Sequence, residues 1–269
     1  MTMIRKPAVA GQFYPEDPKQ LREQIAGFIQ KIIKKEDVLG IVSPHAGYMF
    51  SGSVAGAVYS RINIPDKAII LCPNHTGRGA PFSIITEGSW LTPLGEVKIA
   101  SEIGKKILKN SKQLEEDVSA HALEHSIEVQ LPFLYYLNPK ISFVPICFTC
   151  GDYSSYENIA LAISTVIKDA GGKILIIASS DMSHYESQDV AREKDRKAID
   201  AILKLDEKFL LERIEHYNIS MCGYVPATVM LIACKKLGAK TAELVKYQTS
   251  GDVIGDYSEV VGYAGIIVK

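Results

Sequence analysis

The sequence predicts an α/β protein, a single three-layer α/β/α domain over residues 1–269 built on a central mixed sheet. Two observations carry this. Apolar runs of strand length alternate along the chain with runs of helical periodicity. Three of the strand-like runs also end the same way, in a punctuated loop that delivers a histidine. Leu39–Val42 ends at Ser43-Pro44-His45, followed by Gly47, Gly52 and a small-residue helical run. Lys67–Leu71 ends at Cys72-Pro73-Asn74-His75, followed by Gly77 and Gly79. Lys173–Ser179 ends at Ser180-Asp181-Met182-Ser183-His184. Open α/β sheets bind ligands beyond the carboxyl ends of their strands. Three of the chain's six histidines therefore stand where a ligand is expected.

The remaining elements follow in order. Lys6–Tyr14 reads as an ordered arm whose Phe13 and Tyr14 need a surface. Asp17 before Pro18 is an N-cap followed by proline at the first helical position. Leu21, Ile25, Phe28, Ile29, Ile32 and Ile33 then share one helical face. Ala80–Ile99, broken by Gly88, Pro93 and Gly95, predicts short strands in a hairpin, and Ser101–Leu108 a short helix. In Val118–Leu137 a helical pattern follows Glu124 and His125. His121 and His125, four apart, share a face if that helix starts early. Ile141–Cys147 reads as a strand, with Pro145 placing it at an edge or a strand end. Helices are expected over Ser155–Asp169, Gln188–Leu205, Asp206–Tyr217 and Pro226–Leu237, with Asn218–Thr228 a loop. Thr241–Gln248 and Val260–Val268 are the last strands.

Composition narrows the function classes. A formal net charge of −1 gives no attraction for nucleic acid or a membrane surface. No apolar run is long enough to span a bilayer, and the opening residues lack the apolar core of a secretory leader. The five cysteines, odd in number and scattered, suit a reducing cytoplasm better than a disulfide framework.

His45, His75 and Cys222 are the leading metal-ligand set. Imidazole and thiolate suit iron, copper or zinc, and three protein ligands leave positions open. The plainer reading makes each histidine a loop hydrogen-bonder and the cysteine a small buried hydrophobe. Asp181 and His184 lie three apart, so one could orient the other, or His184 could serve as acid/base. Alternatively Asp181 caps the loop. Glu124 with His125 reads either as a pocket pair binding substrate or as a helix-start pair. Cys147 and Cys150 form a lone C-x-x-C, read as structural. His216 reads as a surface residue.

The segments PAVAGQFYP, SPHAGYMFSG, PNHTG, EHSIEVQLPFL, SSDMSHY and MCGYVPA, in this order, resemble the Memo family (mediator of cell motility; AmmeMemoRadiSam system protein B). The resemblance spans nearly the whole chain. It implies a fold similar to the class III extradiol ring-cleaving dioxygenases, non-haem iron enzymes whose metal is held by two histidines and a carboxylate. By that resemblance His45 and His75 are metal ligands, Cys222 replaces the carboxylate, His184 is the acid/base with Asp181 beside it, and His125 is a pocket residue. A thiolate is softer than a carboxylate and changes the metal preference, so ring cleavage does not follow from the fold.

The expected function is a cytoplasmic, metal-dependent oxidoreductase-like protein holding one iron or copper ion, with zinc an alternative and no organic cofactor. Tyr48, Tyr185 and Tyr224 are expected to wall its pocket. The rival readings are a binding module for an anionic or phosphorylated peptide or a partner protein, and a hydrolase with Cys222 as nucleophile. Expected partners are a small molecule or peptide, proteins of a radical-SAM-linked system, and a second copy of the chain.

Overall fold

Residues 3–30, 34–149 and 151–269 are described in the computed structural model of the chain. In order they form β1 (Ile4–Arg5), α1 (Pro18–Phe28), β2 (Gly40–Ser43), α2 (Tyr48–Arg61), β3 (Lys67–Pro73), β4 (Phe82–Ile84), β5 (Ser89–Thr92), β6 (Gly95–Ile99), α3 (Ser101–Asn110) and β7 (Glu115–Glu116). A 3-10 turn at Glu128–Gln130 runs into α4 (Leu131–Leu137). Then come β8 (Ser142–Phe148), α5 (Tyr153–Asp169), β9 (Leu175–Ser179), β10 (His184–Glu186), α6 (Gln188–Leu203), α7 (Glu207–His216), α8 (Tyr224–Lys236), β11 (Ala242–Thr249), α9 (Gly251–Ile254) and β12 (Val260–Val268).

The strands form one mixed sheet in the order β1-β5-β6-β8-β3-β9-β2-β12-β10, with β11 on β12 and β4 on β8. The centre, β6-β8-β3-β9-β2, is parallel. β12 joins it antiparallel, in register Ile266↔Val42 and Ile267↔Ile41. Alternation along β3 divides the core: Ile69 and Leu71 face the layer of α3, α5, α6, α7 and α8, while Ala68, Ile70 and Cys72 face α1, α2 and α4. Each such fully buried Ile or Leu stabilises the fold by about 1.5–3 kcal/mol. Because β2, β3 and β9 run parallel side by side, the loops after them emerge at one edge of the sheet. His45 and His75 leave the sheet there, and the loop after β9 leads to His184, the first residue of β10.

Several elements depart from the sequence expectation. The Asp17 cap is present, its Oδ1 accepting from the amides of Lys19 and Gln20. The helix nevertheless stops at Phe28, and Ile29 is extended. Phe28 is wedged against Gly52 and Gly56 of α2, where an added Cβ would approach within 2.4 and 2.5 Å. Ile32 and Ile33, expected on the same helical face, lie outside the described residues, as does Cys150 of the C-x-x-C. β8 is not an edge strand: Pro145 pairs with Ile70 inside the sheet. Its missing N–H falls where the other neighbour changes from β6, ending at Phe143, to β4, starting at Ile146. The segment from Val118 to Ile127 is turns, so His121 and His125 share no helix face. His121 is buried against Trp90 and bonded to Ser83. No helix of the described residues is long and apolar enough to cross a membrane.

Candidate metal centre

His45 sits in the turn between β2 and α2, and it is fully buried. Its amide donates to Asp181 Oδ1 at 2.8 Å, joining the loops after β2 and β9. Its Nδ1 lies 2.9 Å from Ser179 Oγ. That hydroxyl spends its own proton on the Ser126 carbonyl and also accepts from Gln130 Nε2. It can only accept from His45, which places the imidazole proton on Nδ1 and the lone pair on Nε2. Burial, and then the neighbouring His125, His75 and His184, hold the His45 pKa well below 6.5. At neutral pH its imidazole is uncharged.

His75 follows β3, and Glu124 fixes it twice. Glu124 Oε2 accepts its amide at 2.6 Å, and Oε1 its Nδ1 at 2.9 Å. Nε2 of His75 is again the free nitrogen. Burial works against protonation of His75, but the hydrogen bond and charge of Glu124 outweigh it and the pKa is raised. For Glu124 burial alone would raise the pKa; the His75 bond and charge and Ser126 bring it down to about 2. Fully buried, Glu124 has its oxygens turned to His75 and Ser126, so it orients the His75 ring.

His125 completes the cluster. One nitrogen from each of His45, His75 and His125 lies within 4.8 Å of the others, a spacing that can hold a metal ion. The His75 and His125 rings stack at 4.8 Å, and both meet the His45 ring edge-on. Burial lowers the His125 pKa against the pull of Glu124. Phe13 packs on its outer side, ring centres 4.8 Å apart, which is the surface the arm's aromatics required.

Cys222 approaches from the loop before α8. Its Sγ is 3.3 Å from His45 Nε2 and accepts the Asp181 amide at 3.3 Å. A nitrogen and a sulfur bound tetrahedrally to one ion at ~2.0 and ~2.3 Å stand about 3.5 Å apart. Cys222 therefore fits as a partner of His45, although the tight three-nitrogen group does not include it. Gly223 makes the approach possible, since a Cβ there would sit 2.4 Å from the Ser179 carbonyl oxygen. Burial and the charge of Asp181 push the thiol pKa up, which removes support from a free Cys222 nucleophile.

Asp181 is buried, its pKa raised to about 6 by burial against the His45 amide bond. It braces the His45 loop rather than His184. His184 instead bonds the loop carrying Cys222: its Nδ1 is 2.9 Å from the Ser220 carbonyl, and its amide donates to Ser220 Oγ. Since a carbonyl only accepts, Nδ1 carries the proton and Nε2 is the basic nitrogen. Tyr185, beside it, is left-handed at φ 57° and 76% exposed. A bulge between His184 and Glu186 in the pairing of β10 with β12 re-aims this corner. Tyr48 does not wall the pocket. It lies in the core, its hydroxyl donating to the Val129 carbonyl and its ring tilted against Tyr14 and Phe133.

Ser179 with Gln130, which fix His45, Ser126, which fixes Glu124, and Ser220, which fixes His184, are residue types that mark no chemistry by themselves. Phe13 could have been found only by asking what the arm covers.

The Memo-like protein family matches residues 5–267. The chain belongs to the Memo-like family. A MEMO1 family protein of Methanopyrus kandleri is 44% identical, covering 99% of each chain. One from Methanocaldococcus jannaschii is 43% identical over the whole of both chains. A crystal structure of an uncharacterized protein from Escherichia coli K12 matches with a TM-score of 0.50 at 8% identity, covering 86% of this chain and 99% of that one, a likeness of fold alone.

Proposed function

We propose that this Memo-like chain is a metal-dependent oxidoreductase-like protein with one ion at the histidine cluster. The observation that supports this most is the preset lone pairs. The Nδ1 protons of His45 and His75 are bound by Ser179 and Glu124, which leaves the Nε2 lone pairs for an ion; one nitrogen of each lies within 4.8 Å of the other and of His125, and Cys222 Sγ is 3.3 Å from His45 Nε2. Outer partners that orient imidazoles in this way are the usual support of a metal site. His45 and His75 are the shared core of the ligand set. Cys222 is the thiolate ligand that favours iron or copper over a hard ion, and His125 completes the nitrogen face. When bound, such an ion supplies Lewis acidity and, as iron or copper, redox capacity.

The chain's own residues supply the rest. In this reading His184 Nε2 takes or gives a proton, which the bond of its Nδ1 to the Ser220 carbonyl supports, and Asp181 holds the His45 loop. Glu124 keeps His75 in its ligand tautomer. Tyr185 stands exposed beside His184 as a wall for a small molecule. The thiols of the described cysteines are all free, which suits a cytoplasmic setting. The binding-module reading keeps the same pocket without turnover, with a peptide, a protein of a radical-SAM-linked system or a second copy as partner.

The test is metal content after anaerobic purification, in wild type and in His45→Ala, His75→Ala, His125→Ala and Cys222→Ala. Close to one iron or copper per chain, lost in the His45, His75 and Cys222 variants, supports the reading. Loss in His125→Ala but not Cys222→Ala makes it a three-histidine site. A wild type that stays empty after reconstitution with iron, copper and zinc rejects it and leaves the binding module.

A further inference from the structure

Asp195 is a buried carboxylate that the chemistry above leaves unused. It lies on α6 and is fully buried. Among the described residues no cation pairs with it; Oδ1 accepts the Ser183 amide at 2.8 Å and Oδ2 the Tyr247 hydroxyl at 2.8 Å. The backbone of β12 closes over it, for a Cβ at Gly262 would sit 1.9 Å from Oδ2. Taking a carboxylate out of water without a cation is costly, and an apolar side chain would fill the space more cheaply. What the carboxylate adds is a strong, fixed acceptor for one backbone N–H, that of Ser183, immediately before His184. On the far side Ser220 holds the His184 amide and Nδ1. The His184 backbone is thus gripped from two directions.

We propose that Asp195, braced by Tyr247, is a positioning residue for His184. Fixing the Ser183 amide sets the backbone from which the imidazole reaches the Ser220 carbonyl, and so holds the Nδ1–H tautomer with Nε2 basic. The inference rests on the reading that His184 moves protons, but its test reads the placement of His184 directly.

The experiment is nitrogen-15 NMR of the histidine side chains, with amide hydrogen exchange, on the purified whole chain. The wild type is compared with Asp195→Ala, Asp195→Asn, Tyr247→Phe and, as a remote control, Asp17→Ala. In wild type His184 should show one N–H-type and one lone-pair-type nitrogen, and the Ser183 amide should exchange roughly ten-fold more slowly than that of exposed Tyr185. Asp195→Ala should move both His184 nitrogens toward the average of a ring switching tautomers and remove the Ser183 protection. Asp195→Asn, which keeps an oxygen acceptor, should restore both. Asp17→Ala should lower Tm and change neither.

An unchanged His184 spectrum in Asp195→Ala overturns the proposal, as does a wild-type Ser183 amide exchanging as fast as that of Tyr185. If Asp195→Ala does not fold, Tyr247→Phe decides: it should weaken Ser183 protection, and full protection overturns the bracing role. Metal content measured on the same samples separates the two ideas. An empty wild type removes the metal-dependent reading, while the His184 and Ser183 signals still decide Asp195.

Discussion

At the scale of single residues, Glu124 carries the clearest consequence. Its carboxyl is depressed from the ordinary 4.5 to about 2 by partners that exist only in the folded chain. A depressed carboxylate stabilises the fold above pH 4.5, and that contribution is lost as pH falls from there toward 2. It amounts to on the order of 3 kcal/mol at neutral pH, shared with His75. Glu124→Gln should therefore flatten the acid side of the stability curve of the metal-free protein, measured by urea unfolding from pH 7 to pH 3. An acid limb as steep as that of wild type would refute the assignment. The same substitution should weaken metal affinity by about 10–100-fold, because only one of the two oxygens that hold the His75 amide and Nδ1 remains an acceptor and the other position becomes an NH2 donor facing an N–H. His45 acts with the same sign: its folded pKa lies below 6.5, so the unfolded chain takes up the proton first as pH falls, and stability drops below about pH 6.5.

At the scale of elements, the contact of α1 with α2 depends on two missing side chains. Gly56 has the Phe28 carbonyl oxygen 2.6 Å from where its Cβ would be, a backbone atom that cannot rotate away. At Gly52 the obstacle is the Phe28 ring. Gly56→Ala should cost about 1–3 kcal/mol by overpacking, although alanine favours a helix elsewhere. Gly52→Ala should cost less if the ring yields. Thermal unfolding of the two variants checks the order, and equal Tm values would mean that Phe28 moves as a unit. Asp17→Ala removes a cap with two hydrogen bonds and should cost about 1 kcal/mol without touching the histidine cluster.

At the scale of the whole molecule, the amino-terminal arm locks the histidine loop to the sheet edge. Arg5 donates to Glu128 Oε2 at 2.7 Å and to the carbonyls of His121 and Glu124. Glu128 also accepts from the amides of Ala8 and Val9 and from the Tyr14 hydroxyl. Both charges are buried. Removing one partner of such a pair strands the other, so Arg5→Ala should cost about 3–5 kcal/mol. It should also loosen the turn that presents Glu124 and His125, lowering metal affinity from a distance. Arg5 lies 4.1 Å over the ring of Trp90, the only tryptophan, so its removal should change the intrinsic fluorescence as well. A variant with the wild-type denaturation midpoint and emission would show that the arm is not a lock.

Much of this was legible in the sequence because it is written in local pattern. Apolar runs, Gly/Pro punctuation and the Asp17-Pro18 cap fix where strands and helices begin, and parallel strands must deliver their following loops to one edge. That is why His45, His75 and His184 could be named together, and why the ordered motifs identified the family. What the sequence could not carry depends on which distant segments meet. Tyr48 reads like a loop aromatic but enters the core, because α2 begins at that residue and turns it onto Tyr14 and Phe133. Pro145 reads as an edge marker but is interior, because two neighbouring strands change over beside it. His125 joins His45 and His75 from an irregular turn, where Arg5 holds the neighbouring Glu124 carbonyl. Composition and periodicity determined the layers and the kinds of chemistry available. Tertiary structure decided which nitrogen of His45, His75 and His184 carries the proton, since that is set by a hydrogen-bond partner as many as 134 residues away in sequence.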